Sequence, residues 1–291
     1  MVIDEDGFRL SEALVARMRR FLAGESGPTP VPRVAATVVL LRPADGGFEA
    51  YVLRRAASMA FASGVYAFPG GGVDPADAGA DLGWAGPPAD EWARRLGRPA
   101  AEAQAVVCAA VREVFEEAGV LLAEAAPESP LTEPATGVEG TIDTSGDDWE
   151  RDRERLVRHE VHLAEVLARR GLVLRSDLLG AWARWITPEF ETRRFDTYFF
   201  VAALPEGQVP RDVSGEADHT MWVRPGDAVA RYRAGEIAML PPTVVLLRNL
   251  AEYPDVAAVL AAAADRDAAT PVMPRAELAP DGTVRLQRYV R

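Results

Sequence analysis

The chain has 291 residues, and its 48% hydrophobic and 26% charged content fits a globular protein with a sizeable core, excluding disordered, collagen-like and coiled-coil classes. That length implies one elaborated domain or a core domain with appendages. Every basic residue is Arg, and the formal net charge of −12 excludes a general nucleic-acid surface, which needs a positive field.

In chain order, Leu14, Val15, Met18 and Leu22 recur at helical spacing, and a Gly/Pro-rich run over 24–32 ends that helix, so 1–32 reads as an N-terminal helix and linker. The β-rich runs 34–41 and 48–53 are joined by Pro43-Ala44-Asp45-Gly46-Gly47 and predict a hairpin. Phe68-Pro69-Gly70-Gly71-Gly72 is a loop, and 78–100 reads as a surface insertion with one short helix around Trp92. Over 101–118, Val107, Ala110, Val111, Val114, Phe115 and Ala118 fall on one helical arc, with Gly119 as the C-cap. Residues 124–148 read as an acidic loop and 149–170 as one charged helix. Strand signals follow at 181–186, 197–203 and 220–223, then helical ones at 226–233, 243–251 and 256–264, and 265–291 reads as a tail. This irregular alternation predicts an α/β sandwich.

Cys108 has no second cysteine to pair with, and Asp4, Glu5 and Asp6 stand where a secretory leader would be basic and then apolar. No apolar run approaches the roughly 20 residues that span a bilayer. The expectation is a cytoplasmic chain with no membrane and no nucleic-acid partner.

Arg112-Glu113-Val114-Phe115-Glu116-Glu117-Ala118-Gly119-Val120 carries the chemistry. At about 100° per residue, Glu113, Glu116 and Glu117 cluster within an arc of roughly 100°. Carboxylates this close repel, so a bridging divalent cation suited to oxygen ligands, Mg²⁺ or Mn²⁺, accounts for the crowding; a solvated acidic face is the alternative. His159-Glu160-Val161-His162 lacks the H-E-x-x-H spacing that aims two imidazoles at one zinc and reads as a solvated helix face. Cys108 reads as a small core residue rather than a nucleophile.

Residues 112–120 match every defined position of R-E-U-x-E-E-x-G-U, the second half of the Nudix box G-x5-E-x7-R-E-U-x-E-E-x-G-U, where U is aliphatic. Phe68-Pro69-Gly70-Gly71 is similar to the entry of that box, with Gly71 at its first glycine and Asp77 where the family has Glu. Residues 78–111 then put 34 residues where the box has seven, splitting the motif in a loop and leaving its helix intact. The chain thus resembles the Nudix hydrolases, in particular a long subgroup with an insertion here that includes a peroxisomal coenzyme A diphosphatase. Trp185-Ile186-Thr187-Pro188-Glu189, Arg194-Phe195-Asp196-Thr197-Tyr198-Phe199-Phe200 and Leu240-Pro241-Pro242-Thr243 extend the resemblance over roughly 33–250. The coenzyme A signature L-L-T-x-R-[SA]-x3-R-x3-G-x3-F-P-G-G is met at Arg55, Ala56, Gly64 and Phe68 to Gly71; Ala60 replaces its second Arg, and Tyr51-Val52-Leu53 its L-L-T.

The resemblance implies an α/β/α Nudix sandwich with a mixed sheet over 33–264 and extra terminal helices. It implies metal-dependent hydrolysis of a small nucleoside diphosphate derivative, with Mg²⁺ or Mn²⁺ on Glu113, Glu116 and Glu117. Arg112 would orient these carboxylates, and Gly70 and Gly71 would let the backbone approach the ligand. Arg55 is either a substrate contact or a charged end of an edge strand. Glu113 and Glu216 are the general-base candidates, Glu216 being otherwise a solvated loop carboxylate. Coenzyme A or acyl-coenzyme A is the first-choice substrate, cleaved to 3',5'-ADP and (acyl) phosphopantetheine. A nucleotide sugar, NADH, ADP-ribose or a nucleoside triphosphate is the runner-up, and a non-catalytic nucleotide sensor the rival from another class. The resemblance also admits a homodimer.

Overall fold

A computed structural model describes residues 2–3, 8–56, 64–78, 82–127, 142–211 and 217–290. Ala60, Glu216 and most of the acidic loop expected at 124–148 lie outside the described residues. Strands β1 (Val2–Ile3) and β2 (Arg9–Leu10) pair ahead of helix α1 (Glu12–Leu22), whose N-terminus Ser11 caps by accepting from the Leu14 amide at 3.2 Å. Strands β3 (Arg33–Ala44) and β4 (Gly47–Arg55) form the expected hairpin, but they pair directly only near the turn, Leu41 with Ala50 through Ala44 with Gly47. Farther along, β5 (Tyr66–Ala67) pairs with β4 and β6 (Gly70–Gly72) with β3. The Phe68-Pro69 corner between them therefore wedges the hairpin open.

A 3₁₀ turn at Pro75–Asp77 leads through β7 (Trp84–Ala85) and α2 (Ala89–Leu96) to the long α3 (Ala100–Ala118). Then come β8 (Ala123–Ala125), α4 (Asp147–Val157), α5 (Leu163–Arg169), β9 (Leu172–Arg175), β10 (Gly180–Ile186), β11 (Phe195–Ala203) and β12 (Ala217–Val223). The chain ends with α6 (Pro225–Ala234), α7 (Pro241–Leu250), α8 (Val256–Ala263), β13 (Pro271–Leu278) and β14 (Val284–Val290). The main sheet runs β12-β4-β3-β11-β10-β13-β14, with β5 and β6 alongside β4 and β3. β3/β11 and β10/β13 are parallel and the other pairs antiparallel, a mixed sheet. A smaller sheet, β7-β9-β8, stands apart.

Side chains alternate across a strand, which sorts β3 and β11 into two cores. Ala36, Val38 and Leu40 with Tyr198, Phe200 and Ala202 face a core shared with α2 to α5, while Val39, Leu41, Phe199 and Val201 face one shared with α1 and α6 to α8. Burial on both faces explains why these strands read as nearly continuous apolar runs. At about 1.5–3 kcal/mol per fully buried large side chain, the two cores make the α/β/α sandwich the stable arrangement. Among the described residues no helix is long and apolar enough to cross a membrane.

Three expectations are corrected. The 78–100 insertion is not confined to the surface: Trp92 and Leu96, one turn apart on α2, are fully buried, and Trp92 packs edge-to-face on Phe200 at 5.9 Å. The 149–170 helix is two helices, because Trp149 and Leu156 of α4 and Leu163, Val166 and Leu167 of α5 bury on differently directed axes, with an elbow at His159 (φ 53°). The tail expected at 265–291 contains β13 and β14, which extend the main sheet beyond β10. Their connection, Ala279-Pro280-Asp281-Gly282, closes with Gly282 at φ 81° donating to the Ala279 carbonyl.

Candidate active site

Helix α3 presents Arg112, Glu113, Glu116 and Glu117, all buried, at its C-terminal end. Three contacts fix that end. Gly119 closes the helix in the left-handed conformation, Arg153 of α4 donates to the Glu116 carbonyl at 2.8 Å, and Trp149 packs edge-to-face on Phe115 at 6.0 Å. Sequence reading missed this bracing; its signal was the pairing of Trp149 with Arg153, four residues apart on one face of α4.

Arg112 organises the carboxylates. Its Nε and Nη2 grip the two oxygens of Asp77 at 3.2 and 3.1 Å, Nη1 donates to Glu113 at 2.8 Å and Glu116 at 3.3 Å, and Nη2 also donates to the Gly72 carbonyl at 2.8 Å. Asp77 therefore joins the two halves of the split motif, although the segment from 78 to 111 separates it from Arg112. The Asp74 amide and the Cys108 thiol also donate to Asp77, at 2.8 and 3.5 Å. Burial and the neighbouring Asp77 push the Cys108 thiol well above its usual range, consistent with an unreactive core residue.

The glycine strand β6 lies against these groups, and the Gly70 amide donates to Glu117 at 2.8 Å. The role expected for its glycines changes. A Cβ on Gly70 would stand 2.5 Å from the Ala36 carbonyl, and one on Gly71 would stand 2.5 Å from a Glu113 oxygen. Both glycines thus let β6 press onto β3 and onto the carboxylate helix, in addition to lining the cleft.

Three buried carboxylates, Asp77, Glu113 and Glu116, share one buried guanidinium, and a fourth, Glu117, lies buried beside them on the Gly70 amide. Burial pushes Glu113 up to about 7, with Arg112 opposing and Glu116 and Asp77 adding to the rise. Burial also raises Glu116, against Arg112 and His159. Burial works against the charge of Arg112, yet Glu113, Asp77 and Glu116 outweigh it and hold its pKa above the usual value. Among the described residues no three acidic, histidine or cysteine side chains already converge as a metal cage. The donor set still fits a hard divalent cation: all its ligating atoms are carboxylate oxygens, and their surplus negative charge is what burial penalises.

The carboxylates open onto a cleft of about 1550 Å³ that Gly70, Gly71, Arg55, Tyr66 and Trp185 also line. Arg55, half-buried at the end of β4, reaches the same cleft, while its neighbour Arg54 pairs with Asp218 of β12. His159 and Asp74 also line the cleft; the His159 side chain is solvated, as expected, but it sits on the turn after α4 rather than on a helix face.

An unbroken carboxylate helix behind a split motif, a glycine strand pressed on it and a mixed sheet between two helical layers together define the Nudix class. The chain belongs to that family, in which hydrolases generally use divalent metals: the NUDT19 Nudix domain matches residues 89–250. It is similar to the acyl-coenzyme A diphosphatase NUDT19 of Homo sapiens, 28% identical over 240 residues that cover 72% of this chain and 62% of that protein. The corresponding protein of Gallus gallus is 27% identical over 264 residues, 76% of this chain and 68% of that one. This chain thus spans less than two thirds of the human protein's length. A solved Nudix hydrolase from Alicyclobacillus acidocaldarius, 29% identical, shares the fold with a TM-score of 0.62 over 79% of this chain and 96% of that one.

Proposed function

We propose that this chain is a divalent-metal-dependent diphosphatase that hydrolyses the P–O–P bond of coenzyme A or acyl-coenzyme A, giving 3',5'-ADP and (acyl) phosphopantetheine. The observation that carries the reading is the surplus of buried carboxylate around Arg112 at the wall of a substrate-sized cleft. The substrate class rests on relatives named acyl-coenzyme A diphosphatase along most of this chain.

Glu113, Glu116 and Glu117 would hold Mg²⁺ or Mn²⁺, which supplies positive charge for the diphosphate oxygens and for the charge that develops on them. The chain's own residues do the rest. Arg112 and the Gly70 amide fix the carboxylate directions, so little reorganisation is needed when substrate arrives. Arg55 offers a cation to a phosphate farther along the cleft. The base that takes the proton of the attacking water is Glu113 or Glu216; because Glu113 is also a cation ligand, Glu216→Gln is the deciding variant, and its loss or retention of turnover assigns the base to Glu216 or Glu113.

The test is a mass-spectrometric product screen with coenzyme A, acyl-coenzyme A, NADH, ADP-ribose and nucleoside triphosphates, each with Mg²⁺, Mn²⁺ or EDTA. Metal-dependent 3',5'-ADP from a coenzyme A substrate supports the reading. Preferred cleavage of another member keeps the chemistry and discards the coenzyme A assignment, while binding without cleavage gives the site to a sensor.

A further inference from the structure

His159 belongs to none of the motifs above, and its backbone makes it conspicuous. Helices α1 to α6 each end at a left-handed residue. Five of these are glycines, Gly24, Gly97, Gly119, Gly171 and Gly235, with φ between 61° and 80°. At the end of α4 the residue is His159, the one non-glycine position with positive φ among the described residues. The helix closes there in the usual way, the His159 amide donating to the Leu156 carbonyl at 2.8 Å and the Glu160 amide to the Arg155 carbonyl at 2.9 Å. Glycine would serve this closure without strain, so a Cβ here costs stability.

Contacts among the described residues do not offset that cost. The imidazole Nδ1 lies 4.0 Å from Asp74, and with 72% of the side chain exposed such a pair is worth little. The side chain lines the cleft together with Asp74, Gly71 and Glu116, and lies close enough to Glu116 to oppose that carboxylate's upward shift. Non-glycine residues in the left-handed region cluster at ligand sites, and His159 stands at the wall of this cleft.

We propose that His159 is a substrate-contacting residue: the α4–α5 elbow delivers its imidazole to the cleft, where it donates a hydrogen bond to a phosphate oxygen of the bound diphosphate. This rests on the diphosphatase reading. An imidazole carries an N–H donor whether neutral or charged, so the contact needs no particular protonation state.

His159→Gly and His159→Asn test it, because both residues accept the left-handed conformation. A residue that only closes the helix predicts parental activity in both variants. The contact predicts instead that His159→Gly melts at or above the parental temperature while kcat/KM for the coenzyme A substrate falls about ten- to a hundredfold in both, the loss of a hydrogen bond to a charged group. Parental kcat/KM in the glycine variant overturns the proposal. If the parent cleaves nothing in the product screen, the diphosphatase reading fails on its own. Calorimetry with pyrophosphate and Mn²⁺ then decides the contact: weaker binding by His159→Gly supports it, and equal binding, or none by the parent, overturns it.

Discussion

Around Asp196 one carboxylate sits between two guanidiniums, whereas around Arg112 one guanidinium serves three carboxylates. Arg184 grips both oxygens of Asp196 at 2.8 Å each, Arg98 adds a third bond, and Arg98 also donates to the Tyr198 hydroxyl at 2.7 Å. In that network Asp196 holds Arg184 above its usual pKa. At Arg112 the surplus has the opposite sign, and Glu113 and Glu116 are both pushed upward. The first centre ties the insertion after α2 to the sheet and needs no further charge. The second is compensated only when something positive arrives at the cleft. Equal burial therefore carries different meaning according to which charge is in excess.

The contrast can be broken at several points. Arg112→Ala should have the largest effect, since it strands Asp77, Glu113 and Glu116 together: a loss of about 3–5 kcal/mol in chemical denaturation, with no measurable turnover. Glu116→Gln or Glu117→Gln should lower kcat about 10²- to 10³-fold or more while far-UV circular dichroism and melting temperature persist, because removing surplus charge relieves repulsion. Wild-type turnover in either variant would falsify the site assignment. Asp196→Asn should do the reverse, costing about 1–3 kcal/mol of stability while the folded enzyme keeps its kcat.

The smallest effect is the pH dependence of the cation-free protein. Glu113 binds its proton more tightly folded, at about 7, than at its ordinary 4.5, so the folded state holds more protons across that window. Stability is then fully present below about 4.5 and declines as pH rises toward 7. In EDTA the melting temperature should drop by a few degrees over this range, and Mg²⁺ should cancel the drop. A flat profile in EDTA would mean that the surplus charge is already compensated.

Much of this was legible because the carboxylate helix is dictated locally. The apolar arc of α3, the Gly119 stop and the three glutamates are sequence neighbours, and local periodicity places them. The hairpin and the late strands were legible for the same reason. What escaped depends on partners distant in the chain. Trp92 and Leu96 sit in a Gly/Pro-rich stretch, and only Phe200 and α3 reveal their burial. The α4–α5 elbow has no Gly or Pro to announce it, since His159 holds the position glycine holds elsewhere. Pro271 and Pro274 disguised β13, although Pro280-Asp281-Gly282 between alternating apolar residues was a turn signal that pointed to the hairpin. Motif matching put Asp77 at the position of the first glutamate of the box, but its bidentate grip on Arg112 was visible only in space.

The bond from the Gly70 amide to Glu117 has one more consequence. A backbone proton exchanges with solvent only when the bond that holds it opens, and here that bond is to the Glu117 carboxylate. A cation that drew the Glu117 carboxylate away would open that bond and speed this exchange. Deuterium uptake at a single glycine thus reads the occupancy of the carboxylate cluster with no substrate present and no turnover required.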